Sequence, residues 1–320
     1  MTASSQPGLL RIGSRGSQLA LWQANHIADR LRGAGHEVTI EIIKTLGDAM
    51  QHVPFAQVGG GAQGDGKGMF TKEIEEALLD GRIDLAVHSL KDLPTELAKP
   101  FAIAAIPERV DPRDAFVSVN YESFEALPYG ARIGTSSLRR QAQLRSTRPD
   151  VRCLEFRGNV DTRLRKLAEG QVDAIILASA GLERLGLTQH RRECFSPLVL
   201  CPAAGQGALG IESRAGDART LAALEFLNHE PTRYAVTAER AALAALGGGC
   251  QVPIGIHCFA GDAGYSVVAA VANPDGSEVL RVVMDRQSGD ALTLGKTVAA
   301  RLLEQGAARL LECVVPGAGS

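Results

Sequence analysis

Four short stretches of this 320-residue chain carry residue types that could grip an anion or handle a proton. The first is His88-Ser89-Leu90-Lys91-Asp92, directly after the apolar run Ile83 to Val87. Residues just past the carboxyl end of such a strand face the ligand crevice of an α/β lobe. A carboxylate there can exchange a proton or stabilise a cation, and Lys91 could hold a substrate carboxylate. Taken alone, the stretch reads as a solvated turn. The second stretch is Gly134 to Leu144 (GTSSLRRQAQL). Thr135, Ser136 and Ser137 offer hydroxyls and free backbone N–H groups at a helix start. Arg139 and Arg140 sit in the first turn, where the helix dipole disfavours cations, so a ligand would explain them. A plain N-cap with surface arginines explains them about as well.

The third stretch is Arg157 to Arg163 (RGNVDTR), followed by Arg165 and Lys166. Each guanidinium fork can grip a carboxylate bidentately. A solvated basic face is the plainer reading, and a single-strand nucleic-acid binder would need aromatics where only Phe156 occurs. The fourth is Leu246 to Pro253 (LGGGCQVP), where three glycines bare Cys250. Most lone cysteines are buried and inert. This one follows a helix end, whose partial negative charge disfavours a thiolate. It suits a permanent attachment point better than a protease nucleophile. Gly61 to Lys67 has the spacing of a P-loop, but Gly68 stands where the magnesium-binding Ser or Thr would be. A glycine-rich lid is the better reading there.

The elements that must position these residues alternate. Leu9 to Gly13 reads as a strand, then Ser17 as the N-cap of a helix with Ala20, Ala24, Ile27 and Leu31 on one face. Val38 to Ile43 is a strand, Met69 to Leu79 a helix, Ile83 to Val87 a strand. This order predicts a mostly parallel sheet under helices. The polar stretch Pro107 to Asp114 reads as a hinge, after which the pattern resumes. Strands at Ala131 to Gly134, Val151 to Glu155 and Ala174 to Ala178 are separated by helices at Ser137 to Arg145 and Val160 to Glu169. Two hinged lobes of this kind predict ligand binding in a cleft. The last third changes: a helix over Thr232 to Leu246, strands at Ile254 to Phe259, Tyr265 to Val271 and Val279 to Met284, and a helix over Ala291 to Gln305. Asn273-Pro274-Asp275-Gly276 marks the turn between the last two strands.

A formal net charge of -2 argues against a generally basic nucleic-acid binder. Locally, Arg132 to Lys166 is dense in arginine and wants an anionic partner. The six cysteines show neither a CxxC pair nor zinc spacing, so no metal site is expected. No signal peptide and no membrane-length apolar run is visible, which predicts a cytoplasmic location. No surface stripe announces a partner, so a monomer is expected.

Taken together, these stretches resemble the porphobilinogen deaminase family. The resemblance runs through RIGSRGSQLALWQ from Arg11, AVHSLKDLP from Ala86, DPRDAFVS from Asp111 and GTSSLRRQAQL from Gly134. It continues in RGNVDTRLRKL from Arg157, DAIILASAGLERLGL from Asp173, PAAGQGALGIE from Pro202 and TAERAALAALGGGCQVPIG from Thr237. It implies an α/β protein whose two hinged lobes resemble type II periplasmic binding proteins, plus a small C-terminal α+β domain with a three-stranded sheet. The implied domains are 1–107 with 208–225, 113–201, and 230–320. It further implies a dipyrromethane cofactor joined to Cys250 by a thioether, with porphobilinogen as substrate. Successive substrates would lose ammonia and extend the primer before hydrolysis frees hydroxymethylbilane. Asp92 would be the catalytic carboxylate. Lys91, Ser137, Arg139 and Arg140 would hold cofactor carboxylates. Arg15, Ser17, Arg157, Arg163, Arg184 and Gln206 would serve the substrate and nearby rings. The family's lid often reads KVGGKG, whereas here Gln57-Val58-Gly59-Gly60 is followed by an insertion before Lys67-Gly68. Lys67 is carried over as a substrate-binding residue, and the longer loop is expected to alter turnover more than chemistry. The rival reading is a non-enzymatic two-lobe binding protein for a small anion, which leaves the third domain and Cys250 unexplained.

Overall fold

The computed structural model describes residues 8–45, 71–248 and 252–312. Cys250, Lys67 and the lid from Gln57 to Gly68 lie outside these residues. The chain divides into two compact units, Met1–Glu108 with Leu209–His229, and Arg109–Ala208 with Glu230–Ser320.

In the first unit, strand β1 (Leu10–Ser14) leads into helix α1 (Gln18–Gly33). Ser17 caps this helix, its Oγ accepting from Ala20 N at 3.3 Å. Ala24, Ile27, Ala28 and Leu31 recur at the helical period and are fully buried. Strands β2 (Val38–Ile42) and β3 (Leu85–Ser89) flank β1 in parallel. Helix α2 (Lys72–Leu79) joins them, with Ile74, Ala77 and Leu78 packed on Ile83 and Ala86. Strand β4 (Phe101–Ala105) closes one edge. The remaining strand, β10 (Leu209–Arg214), arrives from about a hundred residues later in the chain and lies between β3 and β4, antiparallel to both. The sheet order is β2-β1-β3-β10-β4.

The second unit holds two sheets. Strands β5 (Asp114–Val117), β6 (Arg132–Gly134), β7 (Arg152–Leu154), β8 (Ala174–Ala178) and β9 (Arg191–Cys194) form one in the order β7-β6-β8-β5-β9. Its helices are α3 (Leu138–Thr147), α4 (Val160–Ala168) and α5 (Ser179–Arg184). Here β6 runs parallel to β7 and β8, whereas β5 is antiparallel to β8 and β9. Each five-stranded sheet is therefore mostly parallel, as the sequence pattern predicts, with a single reversed strand, β10 in the first and β5 in the second. Nothing in local periodicity records the reversal of those two strands. The first residue of β5 is Asp114, which the sequence pattern assigns to a polar hinge; it is a fully buried strand residue.

The third sheet is an antiparallel meander of β11 (Ile254–Gly261), β12 (Gly264–Ala272) and β13 (Val279–Gln287). Its core is shared with helices α7 (Glu230–Ala245), α8 (Ala291–Glu304) and α9 (Ala307–Glu312). The short helix α6 (Ala218–Leu224) belongs to the first unit. Among the described residues no helix is long and apolar enough to cross a membrane.

Candidate functional site

Most residues singled out for chemistry follow the carboxyl end of a parallel strand, either directly or in the helix that comes next. In the first unit β1 ends at Ser14, just before Arg15 and Ser17, and β3 ends at Ser89, just before Lys91 and Asp92. In the second, β6 ends before Ser137, Arg139 and Arg140, β7 before Arg157 and Arg163, and β8 before Arg184. Loops at these strand ends are where open α/β sheets bind ligands.

The turn Leu90–Asp92 is a single 3₁₀ turn with Asp92 exposed, Lys91 half-buried and Leu90 fully buried. Gln23 of α1 donates from Nε2 to Ser89 Oγ at 2.8 Å. One residue earlier, His88 Nε2 lies 2.9 Å from Glu212 Oε2 of β10. Both are buried, at 8% and 0% exposure. Burial and the nearby Glu212 charge push the Glu75 carboxyl above its ordinary value.

In the second unit Arg139, Arg140 and Gln206 converge on Asp114. Arg139 Nη1 donates to Asp114 Oδ2 at 2.7 Å and to Cys201 O at 2.6 Å. Arg140 donates to Asp114 Oδ1 from Nη2 at 2.6 Å and Nε at 3.0 Å, and from Nη1 to Ile176 O at 2.9 Å. Gln206 Nε2 donates to the same Oδ1 at 3.0 Å and to Pro112 O at 2.7 Å. Arg139 and Arg140 are 4% and 6% exposed, so they are not surface arginines. Burial alone would raise the Asp114 carboxyl, but the charges of Arg139 and Arg140 overturn that and hold it well below the usual carboxylate range. Burial lowers Arg140 as well, against the pull of Asp114.

The other loops are tied more locally. Ser137 caps α3, its Oγ accepting from Arg140 N at 3.5 Å. Ser136 Oγ accepts from Phe156 N at 2.9 Å, which joins the GTSS loop to the RGN loop. Gly158 adopts φ 118°, a conformation that glycine takes without strain. Its carbonyl accepts from Arg163 Nε at 2.8 Å. Arg157 Nε sits 2.6 Å from Glu155 Oε1. Arg184 is buried and donates from Nη2 to Gly207 O at 2.7 Å; burial lowers it to about 10, so it stays a cation at neutral pH.

Part of the Arg132 to Lys166 run finds its anion inside the chain, which corrects the expectation that the whole stretch awaits an outside partner. Arg132 pairs with Asp173 at 2.8 Å and Arg148 with Asp150 at 2.7 Å, and Arg165 pairs with Glu169. The charges of Asp173 and Glu169 lie beyond the run and fold back on it. Three fully buried acids were not singled out by the sequence: Asp114, Glu212 and Glu239. The signal for the first two was a charge at the edge of an apolar run, Asp114 before Ala115-Phe116-Val117 and Glu212 after Leu209-Gly210-Ile211.

Asp114 also bears on the cofactor question. Two buried guanidiniums face one carboxylate, so the cluster keeps a positive charge in excess. That donor chemistry fits a group carrying several carboxylates. Comparison with known proteins decides the family. The model described as "Porphobilinogen deaminase, dipyromethane cofactor binding domain" matches residues 10–222, and "Porphobilinogen deaminase, C-terminal domain" matches residues 233–304. The chain belongs to the porphobilinogen deaminase family. The porphobilinogen deaminase of Nitratidesulfovibrio vulgaris (strain DSM 19637 / Miyazaki F) is 51% identical over 309 residues, covering 94% of this chain and 96% of that one. That of Trichlorobacter lovleyi is 50% identical over 310 residues, covering 96% and 97%. Membership in the porphobilinogen deaminase family makes the chain an enzyme, a transferase of tetrapyrrole biosynthesis with a dipyrromethane cofactor. Among solved structures, the methionine-binding protein MetQ has a TM-score of 0.44 at 12% identity, covering 67% of this chain and 87% of that one. A putative methionine-binding lipoprotein of Bacillus subtilis has a TM-score of 0.42 at 13% identity, covering 69% and 90%.

Proposed function

We propose that this enzyme condenses four porphobilinogen molecules, with release of ammonia, on a dipyrromethane primer carried by Cys250, and then hydrolyses the product free as hydroxymethylbilane. The observation that carries the assignment of residues is their placement: most of the polar and charged groups follow the carboxyl ends of parallel strands, directly or in the next helix, in both five-stranded sheets. The primer, when bound, supplies the nucleophilic α-carbon of its terminal pyrrole. Loss of ammonia from the substrate's aminomethyl arm builds positive charge on its pyrrole nitrogen. Asp92 is exposed at the end of its turn, where its carboxylate can meet the substrate, stabilise that charge and handle the nitrogen's proton. Arg139 and Arg140, under-neutralised by Asp114, hold primer carboxylates with Lys91 and Ser137. Arg15, Ser17, Arg157, Arg163, Arg184, Gln206 and Lys67 hold the acetate and propionate arms of the substrate and nearby rings. Every added ring brings two more carboxylates, and unpaired charge out of water is costly, so this chemistry needs many guanidiniums. Within this reading the domains are 1–107 with 208–225, 113–201 and 230–320, and the enzyme is a cytoplasmic monomer.

The decisive experiment is the intact mass of the purified, denatured chain beside Cys250→Ala and Asp92→Asn. The expected result is a mass excess of two linked pyrroles in the parent and in Asp92→Asn, and the bare mass in Cys250→Ala. Asp92→Asn should keep the adduct yet lose roughly 10²–10⁴-fold in kcat. An adduct that persists in Cys250→Ala, or wild-type turnover by Asp92→Asn, would remove the corresponding assignment.

A further inference from the structure

The Lys91–Asp92 turn is one 3₁₀ turn long, so the aim of Asp92 depends on what anchors the residues before it. Three contacts do so, two from β10 and one from α1. Glu212 of β10 receives the Nε2–H of His88, Gln23 of α1 donates to Ser89 Oγ, and Leu90 packs against Gly210, where a Cβ would come within 2.9 Å of Leu90 Cδ1. The Gln23 and Gly210 contacts involve a neutral hydrogen bond and a close approach, which are ordinary stabilising devices. Glu212 is not. Its side chain is fully buried, and among the described residues its second oxygen, Oε1, has no hydrogen-bond partner. A buried ion pair is at best weakly stabilising, and a well-packed apolar pair of similar volume often does as well or better. Fold stability therefore gives a poor account of why a carboxylate stands at this position. Orientation gives a better one. A carboxylate only accepts, so the contact fixes the proton on His88 Nε2 and pins the imidazole, and with it the strand end.

We infer that Glu212 is a positioning residue that acts through His88 to hold the Lys91–Asp92 turn in its productive place. The inference rests on the reading of Asp92 as the carboxylate that meets the reacting pyrrole. Glu212, with no exposed surface, stays out of reach of the substrate itself.

The test uses the full-length holoenzyme, with cofactor load verified by intact mass. Glu212→Leu and His88→Asn break the contact from opposite ends. Glu212→Gln keeps an acceptor for His88, and His88→Gln keeps a donor where Nε2 stood. A misplacement of about 1 Å costs on the order of 100-fold. The breaking variants should accordingly lose roughly 10- to 100-fold in kcat with KM for porphobilinogen held within about twofold, while the conservative variants stay within about threefold of the parent. Hydrogen exchange gives a readout independent of turnover. The Leu93 amide, which donates to Leu90 O at 3.2 Å, should exchange faster in the breaking variants and at the parental rate in the conservative ones. Parental kcat in a folded breaking variant, or a loss that follows lost cofactor mass, overturns the inference. If neither breaking variant folds, the pair is a folding element and the inference falls as well. Asp92→Asn is assayed alongside: parental turnover there sinks the reading of Asp92, whatever the pair does.

Discussion

Replacing Asp114 by Asn tests whether one buried carboxylate holds the arginine cluster together. Asn keeps the shape but removes the charge, and it turns one acceptor oxygen into a donor facing a guanidinium. Arg139 and Arg140 are then left buried without a counter-ion at 2.7 and 2.6 Å. Removing one partner of a buried ion pair costs about 3–5 kcal/mol. For a unit of this size each kcal/mol moves Tm by roughly 2–4 °C, so the transition of the unit holding Asp114 should drop by about 6–20 °C. Adding Arg140→Met to Asp114→Asn removes one uncompensated cation, so the double variant should recover part of the loss. The pH dependence has a definite sign. Folding depresses the Asp114 carboxyl, so the unfolded chain binds the proton more readily, and stability is lost as pH falls. The gap between parent and Asp114→Asn should thus be full above about pH 4 and shrink below it. Calorimetry across that range is the assay. A variant melting within about 2 °C of the parent, or strictly additive losses in the double variant, would refute the account of the cluster.

Three further outcomes are expected from buried groups of the second unit. Burial pushes the Cys201 and Cys258 thiols up to about 12. At pH 8 only about one in ten thousand of each is then thiolate, and peptide mapping after brief iodoacetamide treatment should find both unmodified in the native protein. Because folding raises these values, their contribution to stability is present below about pH 8.5 and declines as pH rises toward 12, so Tm should fall across that range. Glu239 accepts from Arg109 Nη1 at 2.6 Å, Gly205 N at 2.6 Å and Cys258 N at 2.7 Å, joining α7 to the loop that carries Gln206. Glu239→Gln should lower the unfolding free energy by about 3–5 kcal/mol, read as a shifted urea midpoint at unchanged slope; an unmoved midpoint would show that Arg109 finds another anion.

Local chemistry made much of the candidate site legible in the amino-acid sequence. Ser17 and Ser137 announced helix starts because an N-cap is a contact between neighbours in sequence, and both cap as expected. The run Ile83 to Val87 announced a buried strand, and which residues come next after a strand end is likewise a local fact. The turn at Asn273-Pro274-Asp275-Gly276 marked the last hairpin, and Gly276 takes φ 82° there. The strands of the C-terminal meander were visible from their β-branched runs, short of their true ends by up to three residues. The resemblance to a known family added the roles, which spacing alone left open.

Tertiary structure decided the rest, and for one physical reason: the deciding contacts join residues far apart in sequence. Periodicity cannot tell a strand's direction, so the placing of β10 between β3 and β4, antiparallel to both, was invisible until the sheet formed. Charge patterning could not tell which arginines were committed to the chain's own acids, since Arg132 meets Asp173 across 41 residues and Arg139 meets Asp114 across 25. The buried acids stayed hidden for the same reason. Glu212 lies 124 residues from His88, and a single charge at the edge of an apolar run becomes meaningful only when folding brings its partner to it.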